Sequence, residues 1–268
     1  MQIATAIRND LGNVIRPNAT ISKITEIFLA GFWVTLLITV WISGTTVLIP
    51  RPMDVIPAYP ELLKQGLIVE LMASIKTIGE GILIATAMSL VLSYSTVLPL
   101  MRFPAEMYSK FRFMGLTGLT FLFTIIFGGG NNLKVALMVF FISTFFVTAS
   151  NQMVSEVPRE DMDYARTLRM SEWKVVYHMV IMERLHEAFE ILRQNSAIGW
   201  AMVAMIEGIV RSGGGIGALL LSQNKHFRLE EVFAIQLFIL VIGLAIDWTI
   251  RFIDRTACPH IALSRSRR

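Results

Sequence analysis

Charged side chains are scarce in this sequence. Asp, Glu, Lys and Arg make up 16% of the 268 residues, where an ordinary soluble domain carries about 25%. Hydrophobic residues account for 54% and the mean hydropathy is +0.60. They are bunched into runs instead of being spaced at helical or strand periods, which excludes an ordinary soluble fold and makes lipid the main solvent. Cysteine is nearly absent. Cys258 stands alone, so no intrachain disulfide can form and nothing follows about redox compartment. No GK[ST] ending follows the glycine run Gly213 to Gly217, and no buried strand precedes it, so it is no phosphate loop. Any ATP must be handled by another polypeptide. The histidines, His178, His186, His226 and His260, are too scattered for a metal site. His186-Glu187-Ala188-Phe189-Glu190 opens like a zinc-protease motif but has Glu190 where the second histidine must sit. A cleavable leader would need a short apolar stretch after a basic start, whereas residues 1 to 23 are polar and interrupted, so the first apolar run is expected to be retained.

What is present is six apolar runs long enough to be candidate spans: Ile27 to Ile49, Gly81 to Met101, Phe113 to Leu133, Val135 to Ser155, Gln194 to Val210 and Val232 to Ile250. The first four carry no charge, the fifth holds only Glu207 and the sixth only Asp247. Gly128-Gly129-Gly130-Asn131-Asn132 between the third and fourth predicts a tight hairpin. Gly199, Glu207 and the glycine run beyond weaken the fifth, which is expected to line a protein interface or cavity. The fold class is therefore all-α, a polytopic membrane protein of about six transmembrane helices. A polar tail (1–26) precedes the membrane domain (27–255) and a basic tail (256–268) follows it.

The net charge of +4 and pI near 9.4 do not indicate nucleic acid, since the basic residues lie between apolar runs, where they orient helices in a bilayer. With the N-terminus inside, most of the 24 Lys and Arg fall on the cytoplasmic side, and both termini are expected to be cytoplasmic. Glu207, an ionisable group in a span, is a candidate for the translocation path; near the outer end of its helix it could reach water or Arg211. Asp247 and Arg251, four apart, are expected to pair.

The longest cytoplasmic segment, residues 156–193, is too polar to span and too patterned to be a floppy loop. Pro158 suits the first position of a helix, and Glu160 and Asp161 favour its positive end. Met162, Ala165 and Leu168 share one face; Arg159, Asp163 and Arg166 share another. Ser171 before Glu172-Trp173-Lys174 is a second helix start with Ser171 as N-cap. Two short helices with a joint at Arg169-Met170 are predicted.

These residues resemble the EAA motif of the binding-protein-dependent ABC transporter permeases, especially the branch importing nitrate, sulfonates and taurine. The matching run is Val157-Pro158, then Asp163-Tyr164-Ala165-Arg166-Thr167-Leu168-Arg169, then Ser171 and Trp173. Phe127-Gly128-Gly129-Gly130 resembles the family's FG segment, Leu192-Arg193 its GLR and Gly214-Gly215-Ile216-Gly217 its GGLG. The motif's glycine is Arg169 here, its LP is Ile181-Met182, and a later proline is His186. The resemblance implies a permease subunit in a bacterial inner membrane, working beside a second permease, same or related. It implies a cytoplasmic ATP-binding subunit that holds ATP and Mg, and an extracytoplasmic solute-binding protein. This chain itself would be no enzyme and bind no cofactor. Pro158, Asp163, Ala165, Arg166, Leu168, Arg169 and Ser171 would then form the coupling element on the ATPase. A secondary transporter would need two related halves with interrupted helices, of which no clear repeat is visible; a non-transporting membrane scaffold is the other alternative.

Overall fold

The computed structural model describes residue 16 and residues 20–43 and 49–257. The basic tail beyond 257, with Cys258 and His260, and most of the expected N-terminal tail lie outside them. Among the described residues every regular element is a helix, and the chain divides into two compact units, residues up to Tyr59 and residues from Pro60.

The first unit holds α1 (Lys23–Ser43) and the short α2 (Pro52–Val55). After Glu26 no charge interrupts α1, and 21 residues at about 1.5 Å each match a hydrocarbon core of about 30 Å. Its apolar side chains point outward; Ile27 and Leu37 are 72% and 66% exposed. That is how a helix solvated by lipid presents itself. Trp41 closes the C-terminal end by donating its indole N–H to the Pro50 carbonyl at 3.0 Å.

The second unit begins within α3 (Ala58–Lys64) and continues through α4 (Leu67–Ser95), α5 (Pro99–Lys110), a 3₁₀ turn (Phe111–Phe113) and α6 (Leu116–Phe127). Then follow α7 (Asn131–Ser155), α8 (Arg159–Thr167), α9 (Glu172–Val175), a π-helical segment (Val176–Met182), α10 (Leu185–Ile209), α11 (Ile216–Lys225) and α12 (Leu229–Ala257).

The packing of α4 on α7 follows from a stripe of small residues, Gly81, Ala85, Ser89 and Ser93, one turn apart and all buried. Small side chains let two helices approach closely where lipid supplies no hydrophobic drive between them. A methyl group on Gly81 would stand 2.9 Å from Met138. Thr77 meets Asn131 at 3.3 Å and Ser89 reaches the Ser143 carbonyl at 3.3 Å, both with the same sequence offset of 54, so α4 and α7 run parallel. Two parallel neighbours require the chain to return between them, and α5 and α6 make that return as a pair bent by 115°. The α10 helix runs the other way. His186 pairs with Asp254 at 2.9 Å and Arg193 with Asp247 at 2.7 Å, so partners retreat along α12 as α10 advances. Farther along, Trp200 donates to the Ile239 carbonyl at 2.7 Å, its ring filling the space beside Gly243.

Several expected boundaries move. By length and apolar composition four helices can cross a membrane, or five if the bent pair counts as one, against about six expected. The third run is not one span: α6 stops at Phe127, and Asn131 to Leu133 open α7. The fifth run lies inside α10, whose N-terminal half carries Glu187, Glu190 and Arg193, although α10 runs beside α4, α7 and α12. The second run starts at Leu67, not Gly81, because Glu70 and Ser74 turn inward while Lys76 and Glu80 pair on the outside. It ends at Ser95, where Pro99 opens α5.

The α7–α10 contact is tight at Gly199, where an added Cβ would lie 2.7 Å from Ile142 Cδ1. Gly199→Val should destabilise the unit by about 1–3 kcal/mol through overpacking, visible as a lowered unfolding temperature in detergent. An unchanged midpoint would mean that α10 is free to move away from α7.

Candidate functional site

The loop between α7 and α10 is built around one helix end. Pro158 takes the N-cap, with φ −62° and ψ 138°, so α8 starts one residue later than expected, with Glu160 and Asp161 in its first turn. At the other end Met170 N–H bonds back to Ala165 O and Arg169 N–H to Arg166 O. These are the two bonds of a Schellman cap, which needs a left-handed residue after the helix. That residue is Arg169, with φ 58°. A non-glycine residue there costs about 1–2 kcal/mol relative to glycine, yet the turn is made, so other contacts hold it. Arg166 supplies them: its guanidinium forks onto Glu172 through two bonds of 3.0 Å and reaches back to Asp163 at 2.7 Å. Those bonds hold the Glu172 carboxyl below its ordinary pKa range and raise the arginine's. Ser171 occupies the backbone N-cap of α9, with φ −68° and ψ 152°, but its hydroxyl makes no capping bond.

Burial sorts the predicted residues. Ala165 is fully buried within this chain, whereas Leu168 is 55% exposed. The two do not share one face as expected, because Leu168 is already the C-cap and leaves the helical path. Tyr164 and Trp173, 65% and 70% exposed, stand on the same loop. Beyond α9 the missing proline at Met182 does not leave a straight helix. The chain passes through the π segment, where Glu183 N–H bonds to His178 O, and turns at Glu183-Arg184 before α10 starts.

At the far end of α10 lies a second constellation. Glu207 is fully buried and does not reach water or Arg211. The helix ends at Ile209, so Arg211 is not one helical turn away. The carboxylate of Glu207 accepts from the Ser74 hydroxyl at 2.7–2.8 Å and from Gly217 N–H at 3.0 Å. Ser74 Oγ in turn accepts from Ile216 N–H at 2.8 Å, and Glu70 accepts from Gly215 N–H. Gly215 caps α11, and the first N–H groups of a helix have no internal partner; here carboxylates and a hydroxyl from α4 and α10 provide them. Lys134 of α7, also buried, donates to the Gly214 carbonyl, and Ser212 accepts from Gly130 N–H at 3.0 Å. Gly213, Gly214 and Gly215 all have positive φ, and a methyl group at Gly215 would run into the Glu207 carboxylate. Nothing in the sequence pattern marked Glu70 or Ser74; their four-residue spacing was a signal only once α4 was known to include them. No group of three or more potential metal ligands occurs among the described residues.

Residues 18–257 match the profile of a family described as binding-protein-dependent transport system inner membrane component. A protein of Methanocaldococcus jannaschii that carries the provisional name ABC transporter permease protein is 28% identical over 120 residues. The match covers 44% of this chain and 45% of that protein, less than half of the relative's length.

Two outcomes follow from the geometry. Glu207→Ala leaves a buried hydroxyl and an N–H without their acceptor and removes a neighbour of the buried Lys134, and should cost about 3 kcal/mol or more; an unchanged unfolding temperature would show that water replaces the carboxylate. Arg169→Gly relieves the left-handed strain, and amide exchange at Arg169 and Met170 should slow by about fivefold, the equivalent of about 1 kcal/mol. Faster exchange would mean that the arginine side chain itself holds the joint.

Proposed function

The chain belongs to the family of binding-protein-dependent transport inner membrane components, and on that premise we propose that it is the permease subunit of an importer driven by a separate ATPase. The observation that carries the reading is the loop 156–193. It is a helix pair with a locked joint that leaves Tyr164, Leu168 and Trp173 exposed on a segment too charged to lie within the bilayer. Large apolar groups left exposed on one charged loop suit a protein partner.

In this account Leu168, Tyr164, Asp163 and Arg166 face the cytoplasmic ATP-binding subunit, which holds ATP and Mg. Pro158 and Ser171 start the two helices, Arg169 makes the turn, and Ala165 seats α8 on this chain's own body. Closure of two ATPases would push the loop, and α10 would carry that displacement toward the glycine-rich turn around Glu207. A second permease, same or related, would complete the solute path between the two copies, and an extracytoplasmic binding protein would deliver a small solute. Nitrate or a sulfonate remains the solute class drawn from the motif. Lys134, the one buried cation among the described residues, is committed to the Gly214 carbonyl beside Glu70 and Glu207, so it offers no anion site. The membrane is the bacterial inner membrane with both termini cytoplasmic.

A cysteine replacing Leu168 should cross-link to an ATP-binding protein in membranes expressing the full operon, and Leu168→Arg should abolish uptake while insertion stays normal. A cysteine at Arg166 should be labelled only from the cytoplasm and one at Pro57 only from outside. No captured ATPase, with the labelling pattern intact, would favour a membrane scaffold over a transporter.

A further inference from the structure

A crevice of about 540 Å³ lies beneath α8, between that helix and the ends of α4 and α7 that face it. Its walls carry both signs of charge on an apolar lining. Arg102 and Arg159 face it together with Glu106, beside Val97, Val154 and Val157. The third arginine of the lining, Arg166, is already paired with Glu172 and Asp163. Neither Arg159 nor Glu106 takes part in an ion pair among the described residues, and Arg102 donates its Nε–H to the Thr96 carbonyl at 3.3 Å. Asn151, on the same wall, has a buried side-chain carbonyl without a hydrogen-bond partner. Two guanidiniums with N–H groups to spare suit a phosphate, and a carboxylate outside any ion pair suits a primary ammonium.

The neighbouring α5 indicates where such a group would come from. Leu100, Phe103 and Phe113 are 81%, 71% and 78% exposed, and Arg112 lies over the Phe113 ring at 4.9 Å from its centroid. With Arg102, Lys110 and Arg112 among them, this segment has the composition of a helix lying in the headgroup layer. It packs on α4 and α7, which brings the headgroup layer to the mouth of the crevice.

The geometry points to a phospholipid site: the crevice under α8 holds the headgroup of a membrane phospholipid that carries both a phosphate and a primary ammonium. The phosphate lies between Arg102 and Arg159, the ammonium faces Glu106, and the acyl chains follow the exposed apolar side of α5. A bound lipid wedges the space behind the loop and stiffens the seat of α8. That consequence rests on the coupling role proposed for the loop; the binding itself does not.

The test is lipid retention by the purified full chain, read by native mass spectrometry after exchange into nanodiscs of phosphatidylethanolamine or phosphatidylcholine, which needs neither ATPase nor transport. Phosphatidylethanolamine should be retained, and phosphatidylcholine, which has no N–H donor, should not. Arg102→Gln with Arg159→Gln should lower retention by about tenfold, the loss of roughly one charge-assisted bond. Glu106→Gln should erase the preference between the two lipids, and Lys64→Gln on the exposed α3 should change nothing. Equal retention of both lipids by the unaltered chain, full retention by the double variant, or displacement of the lipid by millimolar inorganic phosphate would overturn the proposal, the last by identifying a free-ion site.

Discussion

The N–H groups of Gly215, Ile216 and Gly217 open a helix in the interior of a membrane protein, and they must be satisfied without water. That constraint organises one end of the molecule. Glu70 and Ser74 from α4, and Glu207 from α10, supply the acceptors, while Lys134 from α7 takes the neighbouring carbonyl. Three long helices are thereby fixed to one turn of chain. Each participant would be costly alone: a buried carboxylate or ammonium without partners costs several kcal/mol. Together they form a closed set in which the glycine-rich turn acts as an anion hole already filled by the protein's own side chains. The glycines are needed because positive φ and the nearness of the Glu207 carboxylate leave no room for a Cβ.

The other end of α10 is held differently. His186 and Arg193 tie it to Asp254 and Asp247 of α12, and Arg251 adds a bond of 2.9 Å to Asp247. Between these pairs and the Glu207 cluster, Trp200 bonds to the α12 backbone. Fixed at both ends and at the middle, α10 would transmit a displacement applied near its start instead of absorbing it by bending. What lies immediately before it is the π segment and the α8–α9 joint. Such π segments recur at functional sites inside helices, and this one occupies the stretch where the family motif places Leu-Pro.

How much of this was legible in the sequence depended on whether the signal was local. The two loop helices and their joint were readable because a proline, an acidic first turn, a serine and a residue in place of glycine mark positions by their own backbone chemistry. Arg169, at the position where the family motif has glycine, is the left-handed residue of that joint. The Asp247–Arg251 pair was readable from its spacing on one helix. The first half of α4 was not, since Glu70, Lys76 and Glu80 look like loop until the partner of each is known. Glu207 stood out as an ionisable group in a span, but its partner did not. The expected bond to Arg211 assumed a helix that continues, whereas it ends at Ile209 and the true partners come from α4 and from the turn it caps. The expected common face of Ala165 and Leu168 is broken for the same reason, a helix that ends before Leu168.

The central claim is that this chain works as the membrane half of a machine whose energy source is another polypeptide. Its most direct test is to isolate the tagged chain from its native membranes in mild detergent, identify what accompanies it, and assay the preparation for ATP hydrolysis. The account predicts a cytoplasmic ATP-binding protein in stoichiometric amount, with hydrolysis that is lost when residues 159–175 are deleted and the partner dissociates. A chain recovered intact, with its helices folded and no ATP-binding protein attached, would contradict it.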